Sequence, residues 1–233
     1  MKKVVVLTGA GISAESGIKT FRDADGLWEG HDVMEVASPG GFAKNPVLVL
    51  DFYNQRRRQL FEVLPNKAHY NLVALEEHFE VHIITQNVDD LHERAGSKNV
   101  LHLHGELLKV RSTRNSNDIM EWKMDLNLGD VCQRNSQLRP HIVWFGEEVP
   151  MLEKAIELTE KADILVIIGT SMQVYPAASL VHYVESNTPI YFIDPNPQIS
   201  ENQFRNLTII NELASSGTNI LNDILIKNKR ATM

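Results

Sequence analysis

A chain of 233 residues that is 43% hydrophobic and 23% charged can bury a core and does not have the composition of a disordered segment. Its formal net charge of −7 speaks against a nucleic-acid surface, which requires clustered positive charge. Cys132 is the single cysteine, which excludes an internal disulfide, and the longest apolar run, residues 164–168, is far short of the roughly 20 residues of a membrane span. The expectation is a soluble, cytoplasmic protein with no nucleic-acid and no membrane partner.

Met1-Lys2-Lys3 followed by Val4-Val5-Val6-Leu7 imitates a signal peptide, but four apolar residues are too few for its hydrophobic region, and the run reads as a buried parallel strand. Beyond it, Gly9, Gly11 and Ala14 stand at the G-x-G-x-x-G/A spacing in which small residues let backbone N–H groups approach a pyrophosphate. A helix opening around residues 13–16 would add the positive end of its dipole. A dinucleotide-binding unit then shows a second strand and a ribose-binding acid about 20 positions on. Here the chain instead runs through Gly17, Phe21, Arg22, Gly26 and Trp28, and the next convincing strand is 81–85. Something is inserted between the first two strands of the sheet.

Residues 26–44, rich in Gly, Asp and Pro and without periodicity, read as a long loop or a few short turns. Pro46 suits the first turn of a helix over 46–64, Pro65 closes it, and a second helix over 67–79 leads into the strand 81–85. The densest polar stretch follows, over 85–107. Gln86 and Asn87 stand at the carboxyl end of a buried strand, where open α/β sheets place their ligands. For Asn87 or Asp89 taken alone, capping a helix over 89–95 is the commoner role. His102 and His104 alternate like strand residues that share a face.

Residues 109–138 are polar and poor in β-branched residues, a small excursion anchored by Ile119, Met120, Trp122, Met124, Leu126 and Leu128. The sheet resumes over 141–145, then helix 151–161, strand 164–168, helix 176–186, strands 189–194 and 207–210, and a last helix near 218–227. This alternation implies an α/β fold with a parallel sheet covered on both faces. Gly169-Thr170-Ser171 ends one strand with groups suited to phosphate, and Asp194 ends the next, where an acid would bind a ribose.

Several ordered blocks carry a family signature: Gly9-Ala10-Gly11-Ile12-Ser13 with Gly17-Ile18 and Phe21-Arg22, then Gln86-Asn87-Val88-Asp89, His104-Gly105-Glu106, Val143-Trp144-Phe145-Gly146-Glu147, Gly169-Thr170-Ser171 and the late Ala214. On these blocks the chain resembles the sirtuins, NAD-dependent protein lysine deacylases. The resemblance implies a Rossmann-type parallel sheet over 1–28, 67–108 and 140–233, with a small domain made of two insertions, 29–66 and 109–139. It implies that Gly9, Ala10, Gly11 and Ser13 hold the phosphates of NAD, with Gly169, Thr170, Ser171, Asp194 and Ala214 also on the cofactor side. Phe21 and Arg22 would lie on a flexible cofactor loop, and Gln86, Asn87 and Asp89 would line nicotinamide and its ribose. His104 would be the general base, with Asn87 beside it in the catalytic set.

In the chemistry so implied, the carbonyl oxygen of an acyl-lysine on a protein or peptide displaces nicotinamide from the ribose. The histidine then deprotonates a ribose hydroxyl that attacks the resulting imidate, and the products are free lysine, nicotinamide and an O-acyl-ADP-ribose. A neutral imidazole near pH 7 suits that task. Residues 143–146 resemble the segment that pairs with an extended substrate peptide as an added strand, and they also read as a core strand. Tyr53 and Arg56, three apart on one helix face, offer a phenol and a guanidinium to one anion. Family members that remove succinyl and malonyl groups carry such a Tyr-x-x-Arg pair in this segment. The family usually holds a structural zinc with four cysteines in two pairs. Here Cys132 is alone, Ser112 stands near the first expected position, and no histidine lies between Gly105 and Pro140, so no metal is expected and Trp122 with its neighbours would pack instead. Two other readings stay open: an NAD- or ADP-ribose-binding module without turnover, and ADP-ribosyl transfer to a protein.

Overall fold

The computed structural model describes residues 1–19, 27–28 and 30–231. In chain order its elements are β1 (Lys3–Thr8), β2 (Leu27–Trp28), β3 (His31–Asp32), α1 (Val33–Val36), α2 (Pro39–Lys44), α3 (Pro46–Glu62) and α4 (Lys67–Leu75). There follow β4 (Glu80–Thr85), α5 (Leu91–Ala95), β5 (Val100–His102), β6 (Gly105–Ser112), β7 (Ile119–Glu121) and β8 (Leu138–Ile142). The last are α6 (Leu152–Glu160), β9 (Ile164–Ile168), β10 (Ile190–Ile193), β11 (Leu207–Ile210) and α7 (Ala214–Ala231).

Six strands form a parallel sheet in the order β11-β10-β9-β1-β4-β5. β1 is central because both of its faces are apolar: alternate side chains of a strand point to opposite sides. Val4 and Val6 join one core with Leu72 of α4 and Leu221 and Leu225 of α7, while Val5 and Leu7 join another with Ala155 of α6. A strand buried on both faces needs an unbroken hydrophobic run, which is what residues 4–7 supply.

A separate antiparallel sheet, β7-β6-β8, packs against α3. Asn54 ties the two together, accepting from the Leu126 N–H at 2.9 Å and donating to the Leu126 carbonyl at 3.0 Å. Arg57, almost wholly buried, donates from Nε to the Leu107 carbonyl at 3.2 Å and from Nη1 to Asn54 at 2.7 Å. Burial lowers the pKa of this guanidinium to about 10, which leaves it charged at neutral pH. Leu50, Val110, Leu126, Cys132 and Leu138 form the core of this part, with Trp122 packed against it as expected from the sequence. Ser112 and Cys132 do come together, the thiol donating to the hydroxyl at 3.5 Å.

Several expectations are corrected. Residues 141–145 do not rejoin the parallel sheet. β8 pairs antiparallel with β6 from Gly105↔Ile142 to Ser112↔Leu138, on the edge of the small sheet, where Pro140 with its missing N–H is tolerated. The stretch read as a long loop or a few short turns over 26–44 contains two short helices. Asp32 accepts from Met34 N at 2.7 Å, Ser38 accepts from Gly41 N at 2.9 Å, and Pro39 sits in the first turn, capping signals that composition alone masks. Gly26 itself lies outside the described residues. No regular helix opens at residues 13–16. The segment is two 3-10 turns, Ala10–Ile12 and Ala14–Ser16, ended by Gly17 at φ 95°, and so short a turn carries no macrodipole to speak of. The helix expected over 176–186 is a 3-10 helix, Ala177–Tyr183, and the last helix is longer than expected, beginning at Ala214. α4 ends at Leu75, four residues early, and Phe79 turns into the core. α5 starts at Leu91, and β5 ends at His102, so His104 is not a strand residue.

Candidate active site

The strand order reverses at β1: β4 and β5 are added on one side of it, and β9, β10 and β11 on the other. Open parallel sheets bind ligands in the crevice at such a switch point, outside the carboxyl ends of the strands. A cavity of about 540 Å3 lies there, and its far wall is made by α3 and residues 142–147.

The loop after β1 and the loop after β9 close against each other. Gly9 N donates to the Ile168 carbonyl at 3.0 Å and Gly11 N to the Gly169 carbonyl at 2.8 Å. A Cβ on Gly11 would stand 2.6 Å from Gly169 Cα, and Gly169 itself has φ 61°. The glycines are therefore required by the approach of two backbones as well as by any ligand. The N–H groups of Gly9 and Gly11 are thus spent inside the protein. Gly9, Ala10, Gly11, Gly169, Thr170, Ser171, Asp194 and Ala214 all line the cavity. Asp194, at the end of β10, is almost wholly buried and accepts from Asn196 N at 2.9 Å.

Gln86 to Asp89 leave β4 along the same cavity. Gln86 Nε2 donates to Thr170 Oγ1 at 3.2 Å, bridging the two loops. Asn87 Nδ2 donates to Ser13 Oγ at 3.2 Å, and Ser13 Oγ donates to Asp89 Oδ2 at 3.0 Å. Ser13 is fully buried and does not line the cavity, so it supports Asn87 and Asp89 from below. Asp89 also accepts from Leu91 N at 3.1 Å, a turn just ahead of α5, whose N-cap is Asp90 and not Asp89. Burial outweighs these hydrogen bonds and raises its pKa to about 6.

His104 lines the cavity, and its Nδ1 lies 3.1 Å from the Gln86 carbonyl oxygen. A carbonyl only accepts, so Nδ1 carries the proton and Nε2 is the basic nitrogen of the neutral ring. Burial, opposed by that hydrogen bond, holds the imidazole below its ordinary range. His102 is built for a different state. Its Nδ1 faces the Asn87 carbonyl at 3.0 Å and its Nε2 faces Glu93 Oε1 at 2.8 Å, two acceptors that demand a donor on each nitrogen. Burial lowers its pKa, but the Glu93 carboxylate and the Asn87 carbonyl overcome this, and the net shift is upward. Two histidines that looked equivalent in the sequence are thus shifted in opposite directions, His104 down and His102 up.

The far wall holds Tyr53, Arg56 and residues 143–146, all on the cavity. Trp144 Nε1 donates to Tyr53 Oη at 2.9 Å. Arg56 lies over the Phe52 ring at 3.7 Å and donates to the Phe52 carbonyl at 2.7 Å. Burial pushes the Tyr53 phenol well above its usual range, so it is neutral at every physiological pH. The N–H groups of Val143, Trp144 and Phe145 bond to the His104 carbonyl, Glu147 Oε2 and the Ala37 carbonyl, which makes this segment a braced loop and not a strand. Glu147 also accepts from Arg139 at 2.6 Å and from Arg111 at 3.0 Å. Arg139 and the Thr8, Thr85 and His92 layer beneath Asn87 were not singled out from the sequence. Thr85 Oγ1 accepts from Asn87 N at 3.0 Å and from Thr8 Oγ1 at 2.8 Å, and His92 Nε2 lies 3.2 Å from Thr8 Oγ1. Nothing in residue type or spacing marks them. Phe21 and Arg22 lie outside the described residues.

Comparisons with known proteins agree with this geometry. Residues 9–176 match the profile of the Sir2 family. A curated "NAD-dependent protein deacylase" of Helicobacter pylori (strain ATCC 700392 / 26695) is 65% identical over 92% of this chain and 93% of its own length. One of Bacteroides thetaiotaomicron with the same name is 53% identical over 97% of this chain and 99% of its own. The fold is similar to a Sir2 homolog–NAD complex, with TM-score 0.86 and 41% identity over 97% of this chain and 90% of that one. It is also similar to a Sir2 bound to acetylated peptide, with TM-score 0.76 and 30% identity over 94% and 91% of the two chains. A parallel sheet with its cavity at the switch point, His104 among the residues lining it and a family match over most of the length together mean that this chain belongs to the Sir2 family.

Proposed function

We propose that this chain is an NAD-dependent protein lysine deacylase that removes acetyl groups and also acyl groups ending in a carboxylate, such as succinyl and malonyl. The observation that carries the reading is that one cavity is lined by the two glycine loops and Asp194, by Asn87, Asp89 and His104, and by Tyr53 and Arg56. The curated relatives named NAD-dependent protein deacylase support the first half of it.

NAD, when bound, supplies a ribose carbon with a leaving nicotinamide and a hydroxyl that takes up the acyl group. The chain's own residues do the rest. Thr170 and Ser171 would hold the phosphates, and Asp194 would accept from a ribose hydroxyl. The Ser13–Asp89–Asn87 set would present the side-chain amide of Asn87 to the reacting ribose, and His104 Nε2 would take a proton from its hydroxyl. The substrate peptide lies along residues 143–146. With the N–H groups of 143–145 already used, its pairing rests on the Val143 carbonyl and the Gly146 backbone. Arg56 recognises the acyl carboxylate through charge-assisted hydrogen bonds, with the Tyr53 phenol as second donor.

We further infer a cytoplasmic protein that folds without structural zinc. The described residues contain no cluster of three His, Cys, Asp or Glu suited to a metal, and none of their helices is long and apolar enough to cross a membrane.

Three outcomes are expected. The acid limb of kcat/KM, which reports the free enzyme, falls below pH 6.5, because His104 is held below its ordinary pKa and stays neutral down to that range. A limb at pH 7 or above removes this assignment. Assayed on paired peptides, Arg56→Met lowers kcat/KM for succinyl-lysine by about tenfold to a hundredfold, the worth of a charge-assisted hydrogen bond, and leaves acetyl-lysine within about threefold. Equal losses on both peptides would make Arg56 structural. Prolonged dialysis against a strong chelator leaves the melting temperature unchanged, whereas a metal-held domain would lose structure.

A further inference from the structure

Two fully buried histidines, His69 of α4 and His92 of α5, take no part in the reaction described above, and their ring centroids lie 4.9 Å apart. Burial lowers the pKa of His69 to about 4 and that of His92 well below its ordinary value, so at neutral pH each ring has one N–H and one bare nitrogen. Their partners fix which is which. The Asn66 N–H can only donate, and it reaches His69 Nδ1 at 3.2 Å in the capping box of α4, which puts the His69 proton on Nε2. Asn66 Oδ1 lies as close to that nitrogen but is committed to Ala68 N at 2.9 Å. On the other side Thr8 Oγ1 gives its hydrogen to Thr85 Oγ1 at 2.8 Å, so His92 Nε2, 3.2 Å from Thr8 Oγ1, is the donor and His92 Nδ1 is bare. His69 Nε2 and His92 Nδ1 are both buried without a hydrogen-bond partner among the described residues. Two neighbouring rings thus hold one spare donor and one spare acceptor, each the complement of the other.

We infer that His92, backed by His69, is a positioning residue for deacylation: its Nε2–H directs the Thr8 hydroxyl at Thr85, whose oxygen in turn holds the backbone N–H of Asn87. The inference rests on the proposed place of Asn87 at the reacting ribose. The line of bonds has an end on each part of the cofactor site. At one end Asn87 N donates to Thr85 Oγ1 at 3.0 Å, and Thr8 and Thr85 are paired in register at the carboxyl ends of β1 and β4. At the other, Asn66 Nδ2 donates to the Ile12 carbonyl at 2.7 Å and to Ser16 Oγ at 3.0 Å, both in the turns that follow β1. An apolar side chain at position 92 would leave the Thr8 hydroxyl free to turn away from Thr85, and the hold on Asn87 would loosen.

The test uses the full chain and an acetyl-lysine peptide. Long-range proton–nitrogen NMR spectra of protein carrying isotope-labelled histidine report the tautomers, with His69→Gln and His92→Gln assigning the two rings. Both rings are expected to be protonated on Nε2 alone, and a His92 protonated on Nδ1 overturns the inference. His92→Gln keeps an N–H donor near the place of the ring Nε2 and leaves kcat within about threefold, whereas His92→Leu lowers kcat about tenfold, the scale of one buried hydrogen bond, with KM for NAD within about threefold. Thr8→Val suits a buried strand and interrupts the line one step on, so it gives the same loss even where His92→Leu does not fold, and combining the two costs nothing more. With a parent that deacylates, equal losses in His92→Gln and His92→Leu, or an unchanged kcat in Thr8→Val, overturn this inference alone. A parent with no deacylase activity overturns both the inference and the reading beneath it.

Discussion

The arrangement depends on the contact between the loop that leaves β1 and the loop that leaves β9. Two N–H groups of the first loop are bonded to carbonyls of the second, and the backbones lie so close that a Cβ on Gly9 would stand 2.8 Å from Gly169 O. That contact does three things. It seals the bottom of the crevice at the switch point. It brings Thr170 within reach of Gln86, which couples β9 to the loop after β4. It also directs the chain after Ile12 so that Ser13 is buried beneath Asn87 and Asp89. Larger residues at these glycines would part the two loops and with them the floor of the site.

Around that floor the protein sorts its ionisable groups by what each hydrogen-bond partner demands. His104 meets one carbonyl and its pKa is held down, whereas His102, two residues away, meets a carbonyl and a carboxylate and its pKa is raised. Burying polar groups is costly unless they are paired, and here the pairs form a continuous set from His92 through Thr8 and Thr85 to Asn87. The same logic governs the opposite wall, where one carboxylate, Glu147, ties together Arg111, Arg139 and the backbone under Trp144.

Much of this was legible in the residues. The uninterrupted Val4-Val5-Val6-Leu7 run identified a strand buried on both faces, and the polar residues at strand ends identified the edge where the cavity lies. Gln86, Asn87, His104, Asp194, Tyr53 and Arg56, singled out from the sequence, all line one cavity. Three things were not legible. The glycine spacing suggested N–H groups aimed at phosphate, while the structure spends two of them on a neighbouring loop 158 residues away from Gly11 at Gly169, a pairing invisible to local pattern. Residues 141–145 carry a strand-like pattern, but pattern does not say which sheet a strand joins, and here the partner is β6. Arg139 and the Thr8–Thr85–His92 layer have ordinary residue types at unremarkable spacing, and their roles come from distances that only folding creates.

The central claim is that one cavity cleaves NAD and passes the acyl group of a lysine to the ribose, with His104 taking a proton after the cofactor is bound. Mass spectrometry of a single turnover with an acyl-lysine peptide, run beside NAD-binding titrations of the parent and of His104→Ala, tests it most directly. The expected result is equal amounts of free-lysine peptide, nicotinamide and O-acyl-ADP-ribose from the parent, and none of the acylated nucleotide from a variant whose NAD affinity is within about threefold. Acyl groups released as free acid with NAD intact, or a variant that deacylates at a rate close to the parent's, would contradict it.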